Sequence, residues 1–145
     1  MSRAYVSSIV DADVESVWAV LGDFHGLAGW IGRIQESIAE GGTGPGGVGS
    51  VRRLTLYPDG RQVRERLVGY DAPAHRYSYE FADAIPYPVR SYRGTVHLLP
   101  VTSTGATFLE WYGDFDCDAN QVEPMLLAFA DIYTEFIGDL RHRLG

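Results

Sequence analysis

The chain has 145 residues, enough for one domain with a substantial core, and its formal net charge is −7. This charge argues against nucleic acid or an anionic membrane surface as a partner, because both favour a basic protein face. Its one cysteine, Cys117, excludes an internal disulfide bond and a cysteine metal cluster.

Two further observations bear on the cellular compartment. No apolar run approaches the ~20 residues of a transmembrane helix, so membrane insertion is not expected. Asp11, Asp13 and Glu15 break up the apolar stretch that a signal peptide would need. The cytoplasm is therefore the expected location.

The first forty residues predict a strand, two short helices and a second strand. A run rich in β-branched residues at 3–10 is typical of a strand. Asp11 or Asp13 then caps a first short helix, and helical spacing of apolar residues predicts a second one at 24–30. Residues 33–40 favour a strand.

A glycine-rich stretch follows at residues 41–49. It contains the pattern GxGxxG at Gly42, Gly44 and Gly47, which in a dinucleotide-binding protein precedes a helix that holds the pyrophosphate. Here the residues from Val48 onward favour a strand, and no Lys-Ser/Thr pair follows. We therefore expect a turning connection between two strands, not a nucleotide site.

The middle of the chain predicts an antiparallel sheet. Alternating apolar residues separated by Gly- and Pro-containing turns indicate strands at 50–56, 62–70, 76–81, 92–101 and 106–116. Between them lies the segment 85–92, in which Ile85-Pro86-Tyr87-Pro88 cannot form a central strand or a helix. We expect this segment and the 41–49 loop to flank the entrance of a cavity.

One long amphipathic helix, residues 120–144, completes the predicted α+β order. Its apolar arc exceeds the stripe of about 100° that a surface helix needs, because Met125, Phe129, Ile132 and Phe136 widen it. Either the helix is sunk in a core, or one flank packs on the sheet while the other faces a cavity. Both interpretations stay open at this point.

The order of elements and several local strings carry a resemblance to a known family. The strings are Val17-Trp18, Asp23-Phe24, Trp30, 49–53, Asp59-Gly60, 63–67, Asp71, 77–79, Pro88-Val89, Tyr92, Glu110-Trp111 and Phe115. Together they resemble the START-like (helix-grip) superfamily, in its polyketide cyclase/dehydrase branch. The resemblance covers nearly the whole chain and implies one domain, residues 1–145. It implies a curved antiparallel sheet of six or seven strands around the C-terminal helix, with a cavity between them.

A pair of charges is expected inside that cavity. Glu65 shares a strand face with Val63 and Leu67, and Arg52 shares one with Leu54. A two-residue loop between the strands would place Arg52 beside Glu65, whereas a three-residue loop with a bulge would place Arg53 there. The leucines favour Arg52. The pair is either a structural ion pair or a site that anchors or deprotonates a ligand.

The expected cavity lining combines this pair with aromatic and aliphatic side chains. Each aromatic residue alone is compatible with an ordinary core, but the set suggests a pocket for a flat or apolar ligand. Glu65, Arg52 and Tyr79 are the candidates for acid–base chemistry. The full set is Trp30, Arg52, Leu54, Glu65, Leu67, Tyr79, Tyr92, Val96, Trp111, Met125, Phe129 and Tyr133.

Two functions remain. The first is binding of a hydrophobic small molecule such as a lipid, a polyketide or an aromatic metabolite. The second is a polyketide cyclase or dehydratase in which Glu65, Arg52 and a tyrosine assist proton transfer. An unpaired group with a perturbed pKa inside the cavity would favour the enzyme. No histidine or cysteine spacing predicts a metal site, no cofactor is expected, and a homodimer stays open.

Overall fold

The computed structural model describes residues 1–41 and 47–145. The predicted conformation of the 41–49 loop falls mainly on residues 42–46, outside the described part. The elements are β1 (Ser2–Val10), α1 (Val14–Leu21), β2 (Ile34–Glu40), β3 (Val51–Leu56), β4 (Gln62–Asp71), β5 (Arg76–Phe81), β6 (Ser91–Val101), β7 (Ala106–Asp116) and α2 (Val122–Leu144).

The seven strands form one antiparallel sheet in the order β1-β7-β6-β5-β4-β3-β2. Side chains on its inner face, which carries Tyr79, Tyr92 and Trp111, are buried against α2. The α+β fold with a long C-terminal helix is thus confirmed. None of the helices in residues 1–41 and 47–145 has the length and apolarity needed to cross a bilayer.

The two helical segments after β1 differ in length. Asp13 is the N-cap of α1, since its Oδ1 accepts a hydrogen bond from the Ser16 N–H at 2.7 Å. The second segment is shorter than the predicted 24–30 helix and consists of one 3₁₀ turn, Leu27–Gly29. Glycines at 26 and 29 explain the difference, because each glycine disfavours a helix by about 1 kcal/mol relative to alanine.

The register between β3 and β4 fixes which arginine faces inward. Arg52 lies opposite Glu65 and Leu54 lies opposite Val63. The Leu56 N–H donates to the Arg61 carbonyl oxygen, so four residues, 57–60, lie between the last bonded pair, and this even number preserves the parity of a two-residue loop. Arg52, not Arg53, therefore shares the inner face with Glu65.

The wide apolar arc of the C-terminal helix has two parts, one buried in the core and one at the cavity. Met125, Phe129 and Tyr133 are almost fully buried, whereas Ile132 and Phe136 are half-buried at its flank. The helix packs mainly against β1. Its half-buried flank is the side that faces the cavity.

Candidate functional site

A cavity of about 80 Å³ lies between the inner face of the sheet and α2. Its wall is built by β3, β4, β5, β6 and β7, by the start of β2 and the 3₁₀ turn before it, by the segment before β6, and by one flank of α2. The lining residues are Leu27, Arg33, Ile34, Arg52, Leu54, Leu56, Arg61, Val63, Glu65, Tyr79, Phe81, Pro86, Tyr87, Tyr92, Trp111, Phe129, Ile132, Tyr133 and Phe136.

Most of the predicted lining residues meet at this cavity. They are Arg52, Leu54, Glu65, Tyr79, Tyr92, Trp111, Phe129 and Tyr133. Trp30, Leu67, Val96 and Met125 are buried in the core but do not border the cavity. Strand parity identifies the inner face, but it does not indicate which of its side chains border the void. That any of these residues binds a ligand stays a prediction.

Several lining residues are not identified by strand periodicity. Arg33 and Arg61 each precede a strand, and Tyr87 lies in the irregular segment between β5 and β6, where no periodicity applies. Pro86 and Tyr87 do belong to the 85–92 segment expected at the entrance. Ile132 and Phe136 were part of the wide helical arc. Their position at the cavity explains why that arc exceeds an ordinary stripe.

Arg52 and Glu65 form an ion pair inside the site, and neighbouring groups hold the arginine in place. The Arg52 Nε and Nη2 atoms lie 2.8 and 2.7 Å from Glu65 Oε1. Arg52 Nη1 donates to the Phe24 carbonyl oxygen at 2.9 Å, and the guanidinium carbon lies 4.0 Å from the centre of the Phe24 ring. Burial is the largest single influence on the pKa of Arg52 and lowers it, but Glu65, Tyr77 and Tyr79 together outweigh burial and raise the pKa. Arg52 therefore stays protonated and is paired with Glu65 in the folded protein.

Glu65 keeps one oxygen free of that pair. Both Arg52 contacts end on Oε1, and Oε2 has no hydrogen-bond partner among residues 1–41 and 47–145. The side chain is 12% exposed and borders the cavity. Oε2 can thus accept a hydrogen bond from a molecule inside the cavity.

Three of the four tyrosines that line the cavity are hydrogen-bonded to neighbouring side chains. Trp111 Nε1 donates to the Tyr79 hydroxyl at 3.0 Å, and the hydroxyls of Tyr92 and Tyr133 are hydrogen-bonded to each other. Burial is the main cause that raises the pKa of Tyr79, Tyr92 and Tyr133. All three phenols stay protonated at neutral pH, so they suit hydrogen bonding better than proton abstraction.

Two glycines make room for these phenols. Gly94 of β6 pairs with Gly113 of β7 on the inner face. A Cβ at Gly94 would collide with the phenol of Tyr79, and one at Gly113 would collide with the Tyr133 hydroxyl and lie 2.8 Å from the Tyr92 ring. The glycine pair therefore creates the space in which the polar ends of the tyrosines meet.

The histidines lie outside the cavity. His25 Nε2 is 2.7 Å from the Ser50 hydroxyl, and burial followed by the charge of Arg52 lowers its pKa. His97 contacts Glu110 on the outer face, and His142 is exposed. Within the described ranges, no three His, Cys, Asp or Glu side chains are grouped closely enough to hold a metal ion.

Comparison with known proteins identifies relatives of the whole chain. The sequence model of the family described as "Polyketide cyclase / dehydrase and lipid transport" matches residues 1–145. A solved protein from Nitrosospira multiformis is 29% identical and superimposes with a TM-score of 0.83, covering 99% of this chain and 97% of the other. None of the curated proteins matches the chain.

Two more distant structures share the fold. A protein from Thermobifida fusca is 24% identical, with a TM-score of 0.87 over 99% of this chain and 93% of the other. The major latex-like protein 151 of Panax ginseng is 18% identical, with a TM-score of 0.79 over 98% and 96% of the two chains. At these identities the likeness extends to the fold alone.

Proposed function

Because the chain belongs to the polyketide cyclase/dehydrase and lipid transport family, we propose that it binds a small hydrophobic molecule in the cavity between the sheet and α2. The observation that carries this proposal is the state of the polar groups around the cavity. Arg52 is paired with Glu65, Tyr79 with Trp111, and Tyr92 with Tyr133. Apart from the second oxygen of Glu65, the polar groups deep in this site satisfy each other, which suits a ligand held mainly by apolar contact.

The rest of the wall supports an apolar ligand. Between these polar pairs the cavity is lined by aliphatic and aromatic side chains: Leu54, Leu56, Val63, Phe81, Phe129, Ile132 and Phe136. Burying apolar ligand surface against them stabilises a complex by roughly 25 cal/mol per Å² before the cost of association. Of the predicted binding residues, Trp30, Leu67, Val96 and Met125 would act behind this wall, by supporting it.

The cavity volume restricts how the ligand enters. Sites for drug-sized ligands have volumes of about 300–1,000 Å³, whereas this cavity measures about 80 Å³. A ligand larger than a few water molecules must therefore displace part of the wall. Tyr87, Ile132 and Phe136 are wall residues that are only half-buried, so they can move at less cost than the fully buried ones.

A binding experiment with an uncharged dye tests the proposal. We expect N-phenyl-1-naphthylamine to bind with increased fluorescence and a stoichiometry of one. Ile132→Trp, which fills the cavity from α2, should abolish this signal. Leu127→Trp adds the same ring at a position of α2 that is 67% exposed and should leave binding unchanged. Equal dye binding by both variants, or no binding by the unmodified protein, would contradict the proposal.

A second candidate, cyclisation or dehydration of a polyketide-like chain, is favoured by the free Oε2 of Glu65. In this reaction Glu65 would accept a proton from the substrate while Arg52 and Tyr79 hold the developing negative charge. Glu65→Gln keeps the size of the side chain but removes the base. The unmodified protein should then turn over a poly-β-ketone analogue, and Glu65→Gln should lose this turnover while it still binds the dye. This result would establish the candidate. No turnover by the unmodified protein would count against it.

A further inference from the structure

Two arginines lie at the mouth of the cavity. Arg33 precedes β2 and Arg61 precedes β4, and both line the cavity while remaining exposed to solvent. The backbone brings them to the same end of the sheet, because the Tyr57 N–H donates to the Arg33 carbonyl oxygen and the Leu56 N–H donates to that of Arg61, each at 2.9 Å. The end of β3 thus lies between the two cations.

The two arginines differ in how far they are neutralised. Arg33 makes a two-point ion pair with Glu135 of α2, at 2.9 and 2.8 Å. Arg61 has no carboxylate within ion-pair distance of its guanidinium among the described residues. Asp59 is bonded to the Arg61 backbone N–H at 3.0 Å. In a chain with a net charge of −7, the mouth therefore carries a cation with no charged partner of its own.

Tyr87 adds a third polar group at the mouth. Its pKa is raised by burial, and the charges of Arg61 and Arg33 act against this rise, so both guanidinium groups are close enough to affect the phenol. The Tyr87 ring is held in place by the Phe129 ring, whose centre is 5.0 Å away. Arg61, Arg33 and Tyr87 can all donate hydrogen bonds towards the mouth.

The inner end of the cavity has the opposite character. There the Arg52 charge is already cancelled by Glu65, and between this pair and the mouth the wall is apolar, with Leu56, Val63 and Phe136. An anion at the inner end would have to compete with a buried ion pair. At the mouth it would meet cationic donors that are still hydrated. The cavity therefore offers unneutralised positive charge at its mouth and none at its inner end.

We infer that the ligand is amphiphilic, with an apolar body inside the cavity and one anionic end, a carboxylate or a phosphate monoester, held at the mouth by Arg61 with help from Arg33 and Tyr87. This inference rests on the proposed function, since it specifies the class of ligand that the same cavity takes. Charge-assisted hydrogen bonds from a guanidinium are stronger than those between neutral groups and favour these two anions. Neutralisation of the anion by Arg61 requires no change in the buried pair.

The test compares three probes with the same apolar body: octanoate, octyl phosphate and 1-octanol. Their dissociation constants are measured by NMR titration, which also reports whether the shifted signals belong to cavity residues. We expect at least one of the anions to bind about ten-fold more tightly than the alcohol. Which anion gains more distinguishes a carboxylate from a phosphate as the natural end group.

Two matched variants locate the effect. Arg61→Gln should remove most of the preference for the anion and leave the affinity for 1-octanol unchanged. Arg66→Gln changes the net charge equally but lies on the outer face of β4, and it should leave both affinities unchanged. Binding of 1-octanol in the cavity without any preference for the anions would overturn this inference while the proposed function stands. An equal effect of Arg61→Gln and Arg66→Gln would also overturn it. If none of the probes binds in the cavity, both fail.

Discussion

The Arg52 side chain is almost completely buried, and contacts with the protein replace the water that would otherwise surround it. Its side chain is 1% exposed, and it contacts the Glu65 carboxylate, the Phe24 carbonyl oxygen and the faces of two aromatic rings. Removing one partner of such a pair leaves the other charge buried, which costs more than the pair itself contributes. Most of the pair's effect on stability should therefore appear only when it is broken on one side.

We predict that Arg52→Leu lowers the free energy of unfolding by roughly 3–5 kcal/mol. The double change Arg52→Leu/Glu65→Leu should recover a large part of this loss, because no charge remains buried. Urea unfolding of the two variants measures both values. Arg53→Leu is the control; that residue is 36% exposed and its ion pair with Glu40 is long, at 3.4 Å, so its loss should cost at most ~1 kcal/mol. A small loss for Arg52→Leu would contradict the prediction.

His25 gives the protein a pH dependence of known sign. Its pKa is lowered from 6.5 by burial, so the unfolded chain takes up a proton at a higher pH than the folded protein does. The contribution of His25 to stability is therefore fully present above pH 6.5 and decreases as the pH falls towards the folded-state pKa.

We expect the free energy of unfolding to decrease between pH 7 and pH 5, and His25→Gln to flatten this slope. Unfolding curves recorded across that interval check it. His142→Gln, at an exposed position of α2, should keep the slope of the unmodified protein. Identical slopes for both variants would show that other groups cause the dependence.

At the scale of elements, β6 and β7 are adapted to the side chains that α2 and β5 place over them. The paired glycines Gly94 and Gly113 leave space that the phenols of Tyr79 and Tyr133 occupy. Neither glycine has a positive φ, so the backbone alone would accept another residue. Their role is steric.

Gly94→Ala should therefore destabilise the protein by about 1–3 kcal/mol, the usual cost of overpacking. It should also disturb the hydrogen bond between Trp111 and Tyr79, which the NMR signal of the Trp111 indole N–H reports. Gly138→Ala on the exposed face of α2, where no atom lies within 4 Å of the added carbon, should instead stabilise the helix by up to ~1 kcal/mol. Stability equal to that of the unmodified protein in Gly94→Ala would mean that Tyr79 moves freely.

For the whole molecule, ligand entry has to enlarge a cavity of about 80 Å³. Tyr87 packs on Phe81 and Phe129, with ring centres 6.1 and 5.0 Å away, and thereby connects the segment before β6 to α2 at the mouth. Opening the mouth means separating these rings.

Tyr87→Ala should accordingly speed association of N-phenyl-1-naphthylamine in stopped-flow measurements, because the ring no longer has to move. Tyr57→Ala, on an exposed loop residue that does not line the cavity, provides the control for loss of a tyrosine. An association rate that is the same for both variants would place the entrance elsewhere.

The sequence predicts which strand residues face the cavity, but it does not predict which residues lie at the mouth. Period-two alternation places Glu65 on the inner face and favours Arg52 over Arg53 as its partner, since pleat parity is a local property; the even loop seen in the structure then selects Arg52. Arg61 and Tyr87 could not be placed in this way, because one precedes a strand and the other lies in an irregular segment. Their positions at the mouth depend on long-range packing against α2, which no local pattern encodes.

The contacts that α2 makes with the two edge strands differ in kind. At the β1 edge it packs over the strand, and Arg141 reaches the Ser8 hydroxyl at 3.3 Å. On the other side it meets the residues just before β2 through Arg33 with Glu135 and through the Gly32 N–H with Asp139, all exposed to water. The helix thus contacts the sheet at both edges, through packed side chains at β1 and through solvated polar contacts next to β2.

Because exposed ion pairs contribute only ~0–1 kcal/mol, the solvated contacts should break first. Opening of the space between helix and sheet would then be one-sided: α2 would rotate about its contact with β1. Added salt, which screens the Arg33–Glu135 pair, would make this rotation easier.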